Sequence, residues 1–139
     1  MIYFARLALE EDGGYSVDFP ELKGCLTCGE NLEDALVMAK DALDGYLACR
    51  DSHDEAISPP KLHKGEDYYP IEVDPCVAFS ITLKRERKKR CLTQQALADK
   101  VGMPWSQYQK LENPDKANPT LKTIAKLNKA LGGGIVFGL

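Results

Sequence analysis

The 139-residue chain carries 21 acidic and 18 basic side chains for a net charge of −3, a length that makes one ordinary domain or two small ones. Residues 1–67 hold 15 acids and 6 bases (−9) and residues 68–139 hold 6 acids and 12 bases (+6), so two modules with different partners are expected, the second partner anionic. No apolar run approaches the ~20 residues of a membrane-spanning helix, MIYFARLAL is short for a secretory signal and is interrupted by Arg6, and five cysteines read as reduced thiols of a cytoplasmic protein rather than a disulfide framework.

Residues 1–9 and 15–19 flank Glu10-Glu11-Asp12-Gly13-Gly14, an acidic turn with two glycines. In the second run Tyr15, Val17 and Phe19 alternate with Ser16 and Asp18, the period of a half-buried strand, so the two runs form a β-hairpin. Pro20 and Gly24 break the chain before a short third strand around Cys25–Cys28. Asn31 then caps a helix that carries Glu33 and Asp34 in its first turn, facing the positive end of the dipole. Leu32, Leu36, Ala39, Leu43, Tyr46 and Leu47 recur at spacings of three and four, a stripe expected to pack on one face of the sheet. Residues 51–67 lose periodicity around Ser58-Pro59-Pro60 and read as a loop. Tyr68–Val73 reads as a fourth strand, at an edge because Pro70 cannot donate to a central ladder. Residues 1–73 are therefore a ββ-β-α-β module.

Asp74-Pro75 opens a helix: a capping residue, then proline at the first helical position. Val77, Phe79, Ile81 and Leu83 alternate as a strand would, but the charged continuation to Arg90 suits a helix from 75 to about 90. Thr93 caps a second helix that runs to Val101 and ends at Gly102. A third follows Pro104 and runs through Glu112, where Asn113-Pro114 stops it. Thr120 starts a fourth, whose Leu121, Ile124, Leu127 and Leu131 are expected to face inward. Residues 74–139 thus form an all-α domain, and the chain as a whole is α+β. After Gly132-Gly133-Gly134, the run Ile135-Val136-Phe137-Gly138-Leu139 reads as a short C-terminal β-strand.

From Leu83 to Gly132 the chain resembles the helix-turn-helix of the Xre/Cro phage-repressor family. The likeness rests on Leu92-Thr93-Gln94, Leu97-Ala98, Val101-Gly102, Leu111-Glu112-Asn113 and the Pro119-Thr120-Leu121 entry to the last helix. Pro104 departs from the pattern, since the family usually places Ser or Thr there, and Trp105 is bulky for its position. The resemblance implies that the second helix meets the DNA backbone near Gln94 and that the third lies in the major groove. Base-facing candidates are then Trp105, Ser106 and Lys110, with Gln107 and Gln109 closer to the backbone. Packing of Trp105 against the second helix is an equal alternative.

The basic run Lys84–Arg90 wraps a whole helical circumference, so it cannot form one DNA-facing patch. Arg87 follows Phe79 and Leu83 at i+4 steps and should point inward, where it needs a carboxylate. The family resemblance supplies one at Glu112. Because a single helix-turn-helix seldom reads enough base pairs, a homodimer or higher homo-oligomer is expected, with Ile135, Val136, Phe137 and Leu139 pairing across a two-fold axis. Packing of the tail on its own domain is the alternative.

The first module, through Gly13-Gly14-Tyr15, Phe19-Pro20-Glu21-Leu22, Gly24-Cys25, Thr27, Gly29-Glu30 and the Glu33-Asp34-Ala35-Leu36 helix, resembles the HicB antitoxin family. That resemblance implies a partial RNase H-like fold over residues 1–73, an RNA-cleaving toxin of the HicA type as partner, and operator DNA bound by residues 74–139. An acidic face suits such a partner, whose RNA-binding surface would be positive. Glu10, Glu11, Asp12, Asp18 and Glu21 are candidate toxin contacts, with solvated loop charge as the competing reading. No cofactor is expected. A tetrahedral zinc site needs four ligands, and beyond Cys25-x-x-Cys28 the sequence has only His53 and His63 and no second Cys-x-x-Cys. Two rivals remain: a metal-dependent nuclease built on Asp18, Glu30 and Asp34, for which the first domain is short, and a repressor that senses a small molecule. A non-enzymatic antitoxin and autorepressor is the reading adopted.

Overall fold

A computed structural model of the chain describes residues 1–135 and 137. It divides into two compact units, Met1–Asp74 and Pro75–Leu139. Among the described residues no helix is long and apolar enough to cross a membrane.

The first unit is a four-stranded antiparallel sheet of order β3-β2-β1-β4 under one long helix. Strand β1 (Ile2–Leu9) turns back into β2 (Tyr15–Asp18), pairing Leu9 with Tyr15 and Arg6 with Asp18. The turn closes through Gly14 O, which accepts from Glu10 N at 2.7 Å, and Gly13 takes the left-handed φ of +89° that glycine tolerates. Strand β3 (Leu26–Gly29) lies outside β2, and β4 (Tyr68–Glu72) pairs with β1 on the other side. Alternation does the sorting: Tyr3, Ala5, Leu7, Val17 and Ile71 are buried on the helix side, whereas Ile2, Arg6 and Leu26 stand in solvent.

Helix α1 (Leu32–Ser52) begins as its caps dictate. Asn31 Oδ1 accepts from Asp34 N, and the Asp34 carboxylate accepts from Glu30 N, both at 2.9 Å. Its buried stripe is Ala35, Ala39, Leu43 and Leu47. Of the expected stripe, Ala39, Leu43 and Leu47 are buried and Tyr46 is half buried, but its first turns lie one step away: Leu32 is exposed and Leu36 only half buried. The reason lies on β3, where a Cβ at Gly29 would sit 2.3 Å from Ala35 N. Helix and strand approach so closely that only small residues fit there, so Ala35 takes the position a leucine stripe would claim. Leu43 and Leu47, wholly buried, each contribute about 1.5–3 kcal/mol.

The second unit is α2 (Pro75–Lys89), α3 (Gln94–Val101), α4 (Trp105–Leu111) and α5 (Leu121–Ala130). All four residues that alternate as in a strand, Val77, Phe79, Ile81 and Leu83, are buried because α2 is covered on several faces. Its core gathers Phe79, Leu83, Leu97, Ala98, Tyr108, Leu111, Leu127 and Leu131. Leu127 and Leu131 face inward and Ile124 partly does, but Leu121, in the first turn of α5, is 83% exposed.

Beyond α5, Gly132, Gly133 and Gly134 all adopt positive φ and turn the chain back. Ile135 N donates to Asn128 Oδ1 at 3.1 Å, and Phe137 enters the core against Phe79, ring centroids 5.1 Å apart. Ile135 and Phe137 are not in a strand, and the rest of the expected strand and dimer contact, Val136 and Leu139, lies outside the described residues. Phe137, buried to 4%, fills its own unit's core.

Candidate functional site

The helix-turn-helix is built by α3, a tight turn and α4. Thr93 Oγ1 accepts from Ala96 N at 3.1 Å to start α3. Gly102 ends it in the left-handed region (φ +71°), and Met103 N bonds back to Ala98 O. Pro104 precedes α4 without a side-chain cap, so its backbone carbonyl alone receives Gln107 N and Tyr108 N.

On α4, Tyr108 and Leu111 are buried while Trp105, Ser106, Gln107, Gln109 and Lys110 are exposed. At ~100° per residue, Trp105, Gln109, Ser106 and Lys110 fall on one arc, with Gln107 at its rim beside the buried pair. Trp105 is 47% exposed, so about half of its surface is open to solvent. Behind α4 a groove of about 320 Å³ is lined by Gln107, Lys110, Lys116, Asn118, Thr120 and Thr123 among others. Lys116 and Asn118 escaped the sequence reading because they lie in the irregular segment after α4, where periodicity carries no signal.

A buried polar cluster fixes α4 relative to α2 and α3. Arg87 Nε donates to Glu112 Oε1 at 2.8 Å and Arg87 Nη1 to Leu92 O at 2.7 Å. Gln94 Nε2 donates to the other Glu112 oxygen at 2.5 Å. Burial opposes the charge on Arg87, but the hydrogen bond and charge of Glu112 outweigh it and hold the guanidinium pKa above its usual value. The Tyr108 hydroxyl, buried near these charges, has no hydrogen-bond partner among the described residues; burial first, then Glu112, raises its pKa. The half-buried Gln94 side chain is thus tied to Glu112 through Nε2, and the backbone N–H set at the start of α3 is the further donor group at this point.

Within Lys84–Arg90 the residues divide by role. Arg90 Nε donates to Leu131 O at 2.7 Å, closing the end of α5, and Glu86 takes both Arg90 and Lys89. The Arg90 hydrogen bond draws the Glu86 pKa down. Arg85 and Lys88 are exposed. Residues 75–139 hold 12 bases against 4 acids, so the field around this unit attracts polyanions.

In the first unit the acidic candidates separate into three settings. Glu10, Glu11 and Asp12 are exposed at the hairpin tip, with Asp12 Oδ1 accepting from Gly14 N at 2.9 Å. Asp18 is held by Arg6 through two bonds of 2.9 and 3.0 Å. Glu21 is half buried with its side chain covered against His63, whose ring stacks on Tyr68 at 4.8 Å, and its second oxygen has no partner among the described residues. The sheet register brings Glu30 and Asp34 to the hairpin tip, where they line a cavity of about 380 Å³ with Glu10 and Asp12. Asp18 lies at the far end of β2 from this group, because Gly29 pairs with Tyr15 and Leu26 with Asp18. No cluster of three or more His, Cys, Asp or Glu side chains placed to hold a metal occurs among the described residues. Cys25 is buried, Sγ donating to Ala42 O at 3.6 Å, while Cys28 is exposed, so the two thiols do not converge. Burial pushes the Cys25 thiol up to about 11.

Comparison with known proteins accounts for both units. A family profile described as HicB-like antitoxin of bacterial toxin–antitoxin systems matches residues 3–73, and a helix-turn-helix profile matches residues 83–137. The chain is 32% identical over 132 residues to Antitoxin HicB of Escherichia coli (strain K12), covering 95% of this chain and 94% of that protein. It is 30% identical over 139 residues to Antitoxin HicB 1 of Photorhabdus laumondii, covering 100% of this chain and 87% of the relative.

Proposed function

This chain belongs to the HicB-like antitoxin family and carries a helix-turn-helix DNA-binding unit, and from that premise we propose that it silences a HicA-type, RNA-cleaving toxin by direct binding and represses its own operon at operator DNA. The observation that carries this reading is the division of charge: a surplus of acids in residues 1–67 and a surplus of bases in residues 68–139, with an open α4 face on the second. An RNA-cleaving enzyme must attract a polyanion, so its substrate surface is positive, and an acidic protein face competes with RNA for it. The toxin contact belongs to residues 1–73, where Glu10, Glu11 and Asp12 stand in solvent; Asp18 and Glu21, already engaged by Arg6 and His63, contribute field more than contact.

In the DNA-binding unit, Trp105, Ser106 and Lys110 face the base edges of the major groove, and Gln109, expected nearer the backbone, joins them because it shares their arc of α4. Gln107 and Lys116 follow the phosphate backbone, and the first turn of α3 gives its N–H groups to a phosphate. Two copies about a two-fold axis would read a palindromic operator, each copy supplying one α4. The protein acts by binding and catalyses no reaction of its own. Co-purification from the native host tests the first half: a small basic toxin should accompany the tagged chain through a salt wash. A gel shift with the DNA upstream of its own gene tests the second. A chain that retains neither partner would sink the proposal.

A further inference from the structure

The sheet of the first unit has two edges, and they differ in chemistry. Strand β4 is closed to further pairing: Pro70 has no N–H to offer, and Lys40 Nζ donates to Glu72 O at 3.0 Å. Among the described residues strand β3 has a neighbour on one side only, and it carries neither proline nor lysine. Leu26, on its solvent face, is 69% exposed, and Cys28 on the same face is exposed. At the Gly29 end, Met38 and Cys28 meet Glu10, Asp12, Glu30 and Asp34 around the 380 Å³ cavity. An open strand edge, flanked by apolar side chains and ending among four carboxylates, fits an extended segment that carries basic residues.

We infer that the outer edge of β3 is a strand-addition site at which a cationic protein, on the reading above the toxin, docks an extended basic segment to lengthen the sheet to five strands. The inference rests on the antitoxin reading and deepens it by naming the edge. Charge selects the occupant: residues 1–74 hold 17 acids and 6 bases, so two such units repel one another while a basic partner is drawn in. Main-chain hydrogen bonds supply a fixed register, and the carboxylates choose a strand with lysine or arginine near its end.

The test uses the full chain and the purified toxin of the same operon. The double variant Leu26→Lys/Cys28→Lys places two cations on the edge and removes no buried side chain, and Leu62→Lys (Leu62 is 71% exposed) is the matched control. The double variant should bind the toxin at least about tenfold more weakly, the control as tightly as the parent. Amide hydrogen exchange at residues 26–29 of the parent chain should slow in the complex, and it decides alone if the double variant fails to fold. A toxin bound equally well by parent and double variant, with no slowing at 26–29, overturns the inference and leaves the antitoxin reading intact. A double variant that keeps toxin affinity but loses self-association would assign the edge to a second copy instead. A parent chain that does not bind the toxin at all removes both.

Discussion

Removing Arg87 should be the most damaging single change in the DNA-binding unit. Its side chain is 10% exposed and that of Glu112 3%, so solvent screens the pair little. Arg87→Met would leave Glu112 buried with Gln94 as its one remaining side-chain donor among the described residues and would strip Leu92 O of its partner at the entry to α3. Breaking one side of a buried pair costs about 3–5 kcal/mol. A unit of this size is stable by only ~3–10 kcal/mol, at roughly 0.05–0.15 kcal/mol per residue. The melting temperature followed by helical circular dichroism should therefore fall by roughly 12 °C or more, with operator binding lost in parallel. Lys88→Met, on the exposed side of the same helix, should melt within a few degrees of the parent. The double variant Arg87→Met/Glu112→Leu should recover much of the loss, since replacing both partners by apolar groups is often near neutral. Equal melting of the Arg87 and Lys88 variants, or a double variant no better than Arg87→Met, would refute the reasoning.

Phe137→Ala should destabilise the second unit by about 3–5 kcal/mol through the cavity left against Phe79, measured by urea unfolding; a change below 1 kcal/mol would mean the tail is not part of the core. Trp105 is the single tryptophan and is half exposed, so acrylamide should quench its fluorescence freely in the apo protein and poorly once operator DNA is bound. Lys110→Ala should weaken one base preference by ~1–3 kcal/mol, whereas Lys116→Ala should weaken all sequences alike and lower the salt slope by about one, both read from binding curves at several salt concentrations. Because the Cys25 pKa is raised from 9.0 to about 11 by burial, the neutral thiol stabilises the first unit, and that contribution is present below pH 9 and lost as pH rises through about 11. Native-state thiol labelling should correspondingly modify Cys28, Cys49 and Cys91 first and Cys25 only on unfolding.

Local signals carried most of the element order. The two-glycine turn, Asn31, Thr93, Gly102 and Thr120 each mark an element end through a bond or a φ value that a single residue type supplies. Arg87 could be traced inward because helical i+4 steps tie it to Phe79 and Leu83. What stayed hidden depends on contacts distant in the chain. The Ala35 stripe follows from the clearance at Gly29, and a pattern of apolar residues does not distinguish alanine from leucine at such a crossing. Leu121 looks periodic with the core of α5 yet sits in the first turn, beyond the reach of the helices that bury Leu127. Glu30 and Asp34 join the hairpin-tip acids only through the β2–β3 register, which no local motif encodes. Glu21, grouped with those acids by sequence proximity, is instead turned onto His63, 42 residues away.

On the proposed function, this one chain holds a toxin at its acidic unit and DNA at its basic unit, independently. The most direct measurement titrates purified toxin with the Trp105→Ala/Lys110→Ala variant and follows cleavage of a labelled RNA. Both substitutions lie on the exposed face of α4, so the fold should survive them while operator binding is lost. The expected result is complete arrest of cleavage near equimolar variant, with the same titration curve as the parent chain. Cleavage that continues at full rate under a saturating excess of the folded variant, when the parent stops it, would contradict the account.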